Sequence, residues 1–503
     1  MQRSQLSTPY SSPLNFVAPC GAGLLVGMAA LVFSPLWVLI GIVVACTMVP
    51  IILKWPEIGL LGVLILSSTI LPNQASPEAS LLRIPVGIGH VYIPDILLLG
   101  LMGSIIIRVL VAPDFKIIRT PLDLPLLAFY AIIMLSTLNA ILQSSVTFNN
   151  SLGEVRQISG YLTFFLVTNL VRKDHQIRTL WRGMLVLSMI VAAAMMAQYL
   201  LGLSTPILPG RVEPLDTEGL AFMDVTRINP PGESLVFTAF LALTAILVID
   251  KLQLKKMWII PVWCLTGLGV VLTFRRHLWI AVVIAFFLLA ILCWRRVSLR
   301  MLGGVLVVIS IATISLLQVN NQPKSAMNKL VTVAFERLDS LTRPQTFENP
   351  DSSLRWRDFE YKFAIPKIAS NPLIGLGLGT TYRPWVIGKD WVGRDEEGFD
   401  GRNFLHNGHL SIIVKSGLLG YLSFLVFSLI VLVRGFKLWR RIPNPKLQAI
   451  LLGFTLAYLG MLIGSIVNPI IMKGNWTPVI GFIIGINEVI LTKVITKPMG
   501  MAA

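Results

Sequence analysis

The chain has 503 residues, of which 55% are hydrophobic and only 13% are charged, and its mean hydropathy is +0.76. Soluble domains carry about 25% charged residues, so this composition excludes a chain of ordinary soluble domains. The net charge of +17 would suit a nucleic-acid partner. However, the basic residues lie in short clusters beside apolar segments rather than in one patch, so we predict no nucleic-acid binding.

Apolar segments of bilayer length recur along nearly the whole chain. A spanning helix needs ~20 mostly apolar residues, and runs that are continuous rather than alternating favour helices over a barrel. We therefore predict an all-α polytopic membrane protein with twelve to fourteen transmembrane helices. In chain order the candidate spans are 16–33, 35–53, 58–71, 93–111, 122–142, 157–171, 180–201, 234–249, 257–274, 278–294, 299–317, 409–433, 447–470 and 478–495.

Neither a signal peptide nor a metal site is predicted. The N-terminal segment MQRSQLSTPYSSPLNF lacks a charged region followed by a cleavage site. The cysteines lie in or beside apolar segments without metal-like spacing, which is typical of small hydrophobic fillers. They are Cys20, Cys46, Cys264 and Cys293.

The distribution of charge predicts the orientation in the membrane. When loops are assigned alternately to two sides, one side collects 22 Lys and Arg residues against five acids, and the other has 20 against about 19. Short loops rich in Lys and Arg stay in the cytoplasm. We therefore predict a multi-pass protein of the inner (plasma) membrane with both termini cytoplasmic, whose basic clusters contact membrane lipid headgroups.

One long loop on the opposite, extracytoplasmic side divides the chain. Residues 1–317 hold about eleven predicted helices, residues 318–408 form the loop domain, and residues 409–503 hold about three more helices. The loop is predicted to be partly helical, because apolar residues in 325–341 recur with helical spacing. A second loop helix is predicted to begin near 351–353, where Asp and Ser are suitable N-caps.

Ionisable residues stand at the outer ends of the predicted spans. Charges at membrane depth are costly and usually functional, and arginine binds phosphate oxygens in a bidentate way. Several arginines under a folded loop therefore suit an amphiphile with a diphosphate head. The residues are Arg275 and Arg276 in TFRRHLW, Arg227 in RINPPGES, Arg355 at the start of the second loop helix, and His406 in FLHNGHL.

The region 352–420 combines three motifs. An Arg stands four residues before an aromatic (Arg355 and Phe359), an Asn-Pro-Leu-x-Gly-x-Gly turn follows at 371–377, and a His-Asn pair (His406 and Asn407) precedes Leu, Gly and Gly at positions 410, 417 and 420. In this combination the region resembles the signature region of the O-antigen ligase and O-antigen polymerase superfamily. The motifs are shared by ligases and polymerases and do not separate the two.

The segment FRRHLWIAV is similar to a Ser-Arg-x-x-Trp element of the same superfamily. Arg276 stands in the place of the Arg and Trp279 in that of the aromatic residue. Arg275 replaces the usual small residue, which leaves open which of the two arginines contacts phosphate.

The resemblance implies a metal-independent membrane glycosyltransferase that uses no cofactor. Its donor would be a glycan linked to polyprenyl diphosphate, its acceptor a sugar hydroxyl on a second glycan or lipid, and its further partners other polysaccharide-assembly proteins. By the same resemblance His406 is the general base. This role suits an imidazole, whose unperturbed pKa of about 6.5 lets the neutral ring accept a proton. The candidates for binding the diphosphate are Arg276, Arg355, Arg227 and Arg275.

Structural roles are open for the same residues. His406 either acts as the base or only caps and orients the following helix, and Arg276 either binds phosphate or extends to the membrane interface. Trp385 and Trp391 either stack on sugars or sit at the membrane interface, and Asn407 is a further candidate for sugar contact. The glycines of 375–380 predict a tight turn, because a dinucleotide-binding loop requires a preceding strand in a βαβ unit.

Three classes of function are compatible with the sequence. The first is the glycosyltransferase, as a polymerase that extends an exopolysaccharide or a ligase that transfers a finished glycan. The second is a transporter of a small anion or glycan, against which stands the lack of an internal repeat or a pair of interrupted helices. The third is a non-catalytic scaffold of a polysaccharide-assembly complex, which would not need a histidine beside arginines at a hydrophobic boundary.

Overall fold

The structure is a computed structural model, which describes residues 51–67, 83–86, 89–202, 205, 207–208, 212–217, 220–230, 232–250, 258–294, 353–387 and 401–495. The predicted spans 16–33 and 299–317, most of span 35–53 and the predicted loop helix at 325–341 lie outside the described residues.

The described part of the chain is mainly α-helical. In chain order the helices are α1 (Pro56–Ser67), α2 (Ile93–Val111), α3 (Asp123–Leu142), α4 (Phe148–Ser159), α5 (Thr163–Leu170), α6 (Asp174–Leu201), α7 (Glu233–Ile249), α8 (Ile259–Leu272), α9 (Arg276–Leu292), α10 (Ser353–Ser370), α11 (Gly408–Leu438), α12 (Pro445–Gly464) and α13 (Thr477–Ile495). Short 3-10 turns lie at Gly160–Leu162, Gly401–Asn403, Trp439–Arg441 and Ile470–Met472.

The helices confirm the predicted fold class, an all-α polytopic membrane protein. Five of them, α2, α3, α6, α11 and α12, are long and apolar enough to cross a membrane, and α1, α7, α8 and α9 are shorter apolar helices. The sixth predicted span is divided in the structure. It runs from the end of α4 through the turn Gly160–Leu162 into α5.

Two antiparallel β-hairpins were not predicted from the sequence. Strand β1 (Arg83–Val86) pairs with β2 (Gly89–Tyr92) directly before α2. Strand β3 (Val212–Thr217) pairs with β4 (Leu220–Ile228) between α6 and α7, in a predicted outer loop.

The main core lies where α7 and α12 pack together, with α6, α8, α9 and α13 around them. Nearly every residue of α7 is buried. A Cβ added at Gly453 of α12 would lie 2.5 Å from the backbone of Ala242 in α7. Glycine therefore allows the two backbones to approach closely, as small residues do between membrane helices.

Polar contacts define one end of the helix bundle. The Nζ atom of Lys493, near the end of α13, lies 2.5 Å from a carboxylate oxygen of Asp174 at the start of α6. Arg440, just after α11, donates a hydrogen bond to the carbonyl of Leu292 at the end of α9 (2.7 Å). The basic residues of these segments are among those from which the cytoplasmic side was predicted.

The opposite end of the bundle joins the start of α11 to the end of α12. The backbone N–H of Gly408 donates to the carbonyl of Ser465 at 2.7 Å. Ser234, at the start of α7, donates to the carbonyl of Asn475, just before α13, at 2.8 Å. This end, which we call the site end, contains the residues described in the next subsection.

Helix α11 is interrupted at Gly417, where φ is 66° and ψ is −172°. The turn that contains the Asn-Pro-Leu motif crosses the helix at this point. The backbone N–H groups of Leu418 and Leu419 donate to the carbonyls of Pro372 (2.8 Å) and Leu373 (3.2 Å). The turn thereby supplies acceptors to the first N–H groups of the second half of α11, which have no partner within the helix.

The glycines that follow this motif let the chain pass between three helices. Gly375, Gly377 and Gly379 have φ values of 70°, 84° and 81°. An added Cβ would lie 2.5 Å from the backbone nitrogen of Gly417, 2.8 Å from the carbonyl of Ser136 and 2.6 Å from the backbone nitrogen of Ser151, respectively. The glycines therefore form tight backbone crossings with α11, α3 and α4, in agreement with the predicted turn.

Replacing Gly417 with Ala should destabilise the protein. The backbone conformation at this position is one that only glycine adopts readily, at a cost of about 1–3 kcal/mol for other residues, and a Cβ would also collide with the carbonyl of Leu373. The measurement is the Tm of the purified protein in detergent. Gly103→Ala is the matched control, because nothing lies within 4 Å of a Cβ there. A G417A variant as stable as G103A would contradict this account of the helix interruption.

Candidate functional site

The imidazole of His406 lies just before α11 at the site end, with 36% of its side chain exposed. Its ring meets the ring of Phe404 edge to face, with centroids 4.8 Å apart. The ring therefore has one packed side and an exposed part that a substrate can approach.

A buried carboxylate holds His406 in place. Oε1 of Glu360 lies 2.8 Å from Nδ1 of His406, and Oε2 accepts the backbone N–H of the same residue at 2.9 Å. Trp356, one turn earlier in α10, donates from Nε1 to Oε1 of Glu360 at 3.0 Å. The Glu360 side chain is 0% exposed. The two residues form a carboxylate–imidazole pair, which we call the Glu360–His406 dyad.

Glu360 is not among the residues predicted from the sequence. The available signal was a Trp and a Glu at positions i and i+4 of a helix, which places them on one face. That spacing is common on exposed helices as well. The partner of the carboxylate is 46 residues away in the chain, so only the tertiary fold identifies it.

Two sets of contacts fix α10, and with it Glu360. Arg357 donates from Nε and Nη2 to the carbonyl of Val467, after α12, at 3.3 and 3.1 Å. A small hydrophobic cluster separate from the main core joins α10 to the start of α11. Its buried members are Ala364, Tyr382, Leu405 and Val414.

Asn407, rather than His406, caps α11. Its Oδ1 accepts the backbone N–H of Leu410 at 3.0 Å, and its Nδ2 donates to the hydroxyl of Tyr361 at 3.2 Å. The capping role left open for His406 is therefore taken by its neighbour. Contact of Asn407 with a sugar stays a prediction, and both ends of its amide have protein partners.

The structure distinguishes Arg275 from Arg276. The guanidinium of Arg275 forms an ion pair with Glu233, and the two side chains are only 11% and 3% exposed. Trp476 also donates to this carboxylate, from Nε1 to Oε1, at 3.2 Å. Arg276 is the first residue of α9 and is half-buried. The charge of Arg275 is thus balanced within the protein.

Arg276 and His406 belong to the same end of the bundle. His277, the next residue after Arg276, packs beside Gly464 at the end of α12, where an added Cβ would lie 3.3 Å from the imidazole Cδ2. The end of α12 in turn accepts the hydrogen bond from the start of α11 described above. That Arg276, Arg355 and His406 face one cavity stays a prediction.

Four more residues were predicted to belong to the site. Arg355 lies on the first turn of α10 and is exposed. Arg227 lies in β4, opposite Glu213 of β3 in the strand register, and its side chain is outside the description. Trp385 is 41% exposed, with the guanidinium of Arg402 5.7 Å from its ring centroid. Trp391 lies outside the described residues.

A small polar cleft adjoins the dyad and was also not predicted. The ammonium group of Lys473 lies 5.5 Å from the centroid of Phe404, the ring that packs on His406. Amide, hydroxyl and charged groups line the cleft, a mixture that can exchange hydrogen bonds with sugar hydroxyls. Its polar lining residues are Glu154, Gln157, Asn403, Ser411 and Lys473.

Within the described ranges, no three His, Cys, Asp or Glu side chains are grouped so that they could hold a metal ion. Metal independence stays a prediction.

The fold and the site end define a multi-pass α-helical membrane protein with a histidine–carboxylate pair at one end of its bundle. Residues 260–425 match the family model described as O-Antigen ligase. This third of the chain runs from α8 into α11 and includes both the FRRHLW element and the region 352–420. The resemblance to the O-antigen ligase and polymerase superfamily is thereby confirmed, and with it the general assignment to membrane polysaccharide biosynthesis. A comparison with curated proteins gives no match.

Substitution of Arg275 by Gln should reduce stability more than the same change at Arg276. Loss of one partner leaves the carboxylate of Glu233 buried without its counter-charge, which costs about 3–5 kcal/mol in comparable buried pairs. The measurement is the Tm of each variant in detergent. The double variant E233Q/R275Q should recover most of the loss. Equal effects of R275Q and R276Q would contradict the different roles inferred for the two arginines.

Proposed function

We propose that this protein is a membrane glycosyltransferase that moves a glycan from polyprenyl diphosphate to a sugar hydroxyl, as an O-antigen or exopolysaccharide polymerase or ligase. The observation that carries the proposal is the Glu360–His406 dyad, which offers a partly exposed imidazole held by a buried carboxylate. The dyad lies within the segment that matches the ligase family. A non-catalytic scaffold would not need an imidazole that is both held in this way and partly exposed.

In the proposed reaction the hydroxyl oxygen of the acceptor attacks the anomeric carbon of the donor glycan. A new C–O bond forms, the bond between that carbon and the diphosphate oxygen breaks, and its electron pair leaves on the diphosphate. His406 accepts the hydroxyl proton as general base. Polyprenyl diphosphate and the lengthened or transferred glycan are the products. Attack opposite the leaving group would invert the anomeric configuration.

The leaving diphosphate needs positive charge, which we assign to arginines rather than to a metal ion. Preorganised cations stabilise charge that develops in the transition state. The ion pair of Arg275 with Glu233 argues against Arg275 as the phosphate ligand, and Arg276 is the residue that stands in the place of the Arg in the superfamily element. Arg355, exposed on the same helix as Glu360, is the second candidate. Arg227, in the strand that precedes α7, is the third.

The acceptor hydroxyl would approach the exposed part of the His406 ring, and the polar cleft beside Phe404 would offer hydrogen-bonding groups to the adjoining sugar. Trp385, Trp391 and Asn407 are further candidates for contact with sugar. Aromatic rings suit this role because they present an apolar face together with a polar edge or tip. The glycan or lipid that carries the acceptor hydroxyl would reach the cleft from the outer leaflet.

We propose that the site end faces away from the cytoplasm. The opposite end gathers the basic loops, including Arg440, Lys493 and Arg172, which the positive-inside rule assigns to the cytoplasm. In this orientation both termini are cytoplasmic. Polysaccharide-assembly proteins that deliver the donor would be partners in the same membrane.

Replacing His406 with Ala should lower glycan transfer by about 10²- to 10⁴-fold, the usual contribution of a general base. The assay uses proteoliposomes that contain the purified protein and lipid-linked glycans extracted from its source cells. It measures the release of polyprenyl diphosphate and the length of the glycan. A lengthened glycan indicates a polymerase, and transfer to a different lipid indicates a ligase.

The control for this variant is His175→Ala. His175 is 57% exposed and lies on the first turn of α6, at the opposite end of the bundle, so its loss should leave transfer unchanged. Transfer by H406A at the wild-type rate would refute the base role. Uptake of glycan into the vesicle lumen that persists in H406A, without any transfer, would indicate a transporter instead.

Replacing Arg276 with Gln should weaken binding of the diphosphate. Undecaprenyl diphosphate should raise the Tm of the wild-type protein by binding to its folded state, whereas undecaprenol, which lacks the phosphates, should not. A hydrogen bond to a charged group contributes about 1.5–3 kcal/mol, so R276Q should bind the diphosphate about 10- to 100-fold more weakly. R276K should be intermediate, because lysine keeps the charge but not the bidentate geometry. An R276Q variant that binds undecaprenyl diphosphate with wild-type affinity would show that Arg276 is not a ligand of the diphosphate.

A further inference from the structure

We infer that Glu360 is a positioning residue that keeps the proton of neutral His406 on Nδ1, so that Nε2 carries the lone pair that accepts the substrate proton. The inference rests on the proposed function for the role of Nε2. The tautomer of the neutral ring is argued from the contacts of the dyad.

The contacts of Glu360 require its carboxylate to act as an acceptor. The indole N–H of Trp356 and the backbone N–H of His406 can only donate, and they use Oε1 and Oε2 respectively. An ionised carboxylate has acceptor sites and no proton. With the carboxylate ionised, the contact of 2.8 Å between Oε1 and Nδ1 is assigned as a hydrogen bond that Nδ1–H donates.

The position of the ring proton follows from this bond. In a neutral imidazole one nitrogen carries the proton and the other the lone pair, and the hydrogen bond made by one nitrogen sets the state of the other. With Nδ1–H directed at Glu360, Nε2 is left as the basic atom. The negative charge of Glu360 also stabilises the imidazolium that forms when Nε2 takes a proton.

The carboxylate has little freedom to release the ring. The indole of Trp356 stacks on Phe359 with centroids 5.1 Å apart, and the guanidinium of Arg383 lies 4.9 Å from the Trp356 ring. The side chain of Glu360 is fully buried beneath these groups. The backbone bond from His406 to Oε2 further restricts rotation of the carboxylate, so the imidazole keeps one orientation before substrate binds.

The first test is a measurement of the ring nitrogens by ¹⁵N NMR. Protein labelled with ¹⁵N-histidine is studied in detergent without any donor, and H406A identifies the signals of His406. We expect a protonated Nδ1 and an unprotonated Nε2 at a pH where the ring is neutral. In E360A the ring should no longer be confined to this form. A wild-type ring protonated on Nε2 would overturn the inference.

The second test is the pH dependence of glycan transfer in E360Q, using the proteoliposome assay. Loss of the negative charge makes the imidazolium less stable, so the ring stays neutral to lower pH. The low-pH limb of kcat/KM should therefore move to lower pH, while kcat falls by about 10²-fold or more because the base is weaker and less well oriented. A merely structural role would lower kcat without moving the limb.

Asp358→Asn is the matched control. Asp358 is a carboxylate on the same helix, 63% exposed and paired with Lys362, and its loss should leave both the limb and kcat unchanged. An E360Q limb that stays at the wild-type pH would contradict the positioning role.

The two tests separate failure of this inference from failure of the proposed function. If NMR shows Nδ1–H but H406A transfers glycan at the wild-type rate, the tautomer assignment stands and the base role falls. If H406A is inactive while NMR shows Nε2–H, the base role stands and Glu360 does not set the tautomer. The wild-type spectrum alone shows which ring nitrogen carries the proton, so the second outcome can be recognised even if E360A does not fold.

Discussion

The interruption of α11 at Gly417 is the constraint on which the site depends. Backbone N–H and C=O groups that lose their helical partners at membrane depth need other partners within the protein. Here the carbonyls of Pro372 and Leu373 accept the freed N–H groups. Because this turn directly follows α10, satisfying the backbone of α11 also fixes where α10 ends, close to the segment that carries His406.

The motifs of region 352–420 therefore divide into two kinds. The Asn-Pro-Leu turn, the glycines after it and Gly417 build the crossing of the chain through the helix bundle. His406 and, on α10, Glu360 form the dyad to which we assign the chemistry. The turn and the glycines fix α10, which carries Glu360, relative to the start of α11, which His406 precedes.

The helices were largely predictable from the sequence, because a bilayer imposes both length and continuous hydrophobicity on a span. The interruption at Gly417 was not, since a glycine within an apolar run is common in membrane helices and its φ depends on the turn packed against it. The same limit applied at Gly160–Leu162, where a predicted single span is divided.

At the candidate site, the sequence singled out His406 and the arginines because an ionisable group beside an apolar segment stands out, and their roles stay predictions. The carboxylates Glu360 and Glu233 were not, because their partners lie 46 and 42 residues away in the sequence. Telling Arg275 from Arg276 likewise required knowledge of contacts between residues that are distant in the sequence. Two adjacent arginines are alike in sequence, and the buried ion pair of Arg275 with Glu233 becomes visible only in the folded structure.

Three carboxylates at or near the site end each contact a basic side chain. The chemical nature of that side chain determines the role of each pair. Glu233 pairs with Arg275, Glu154 with Lys415, and Glu360 with His406. Arginine and lysine side chains ordinarily keep their charge at neutral pH, so the first two pairs hold α7 to α9 and α4 to α11 as fixed ion pairs.

Histidine is the partner whose ordinary titration range crosses neutral pH. Of these three pairs, Glu360 and His406 form the one that contains an imidazole, the group to which we assign the proton transfer. The imidazole is also more exposed than the other two cationic side chains, at 36% against 11% and 2%. Pairing of a carboxylate with a basic side chain thus gives two structural links and, in the Glu360–His406 dyad, the group to which we assign the chemistry.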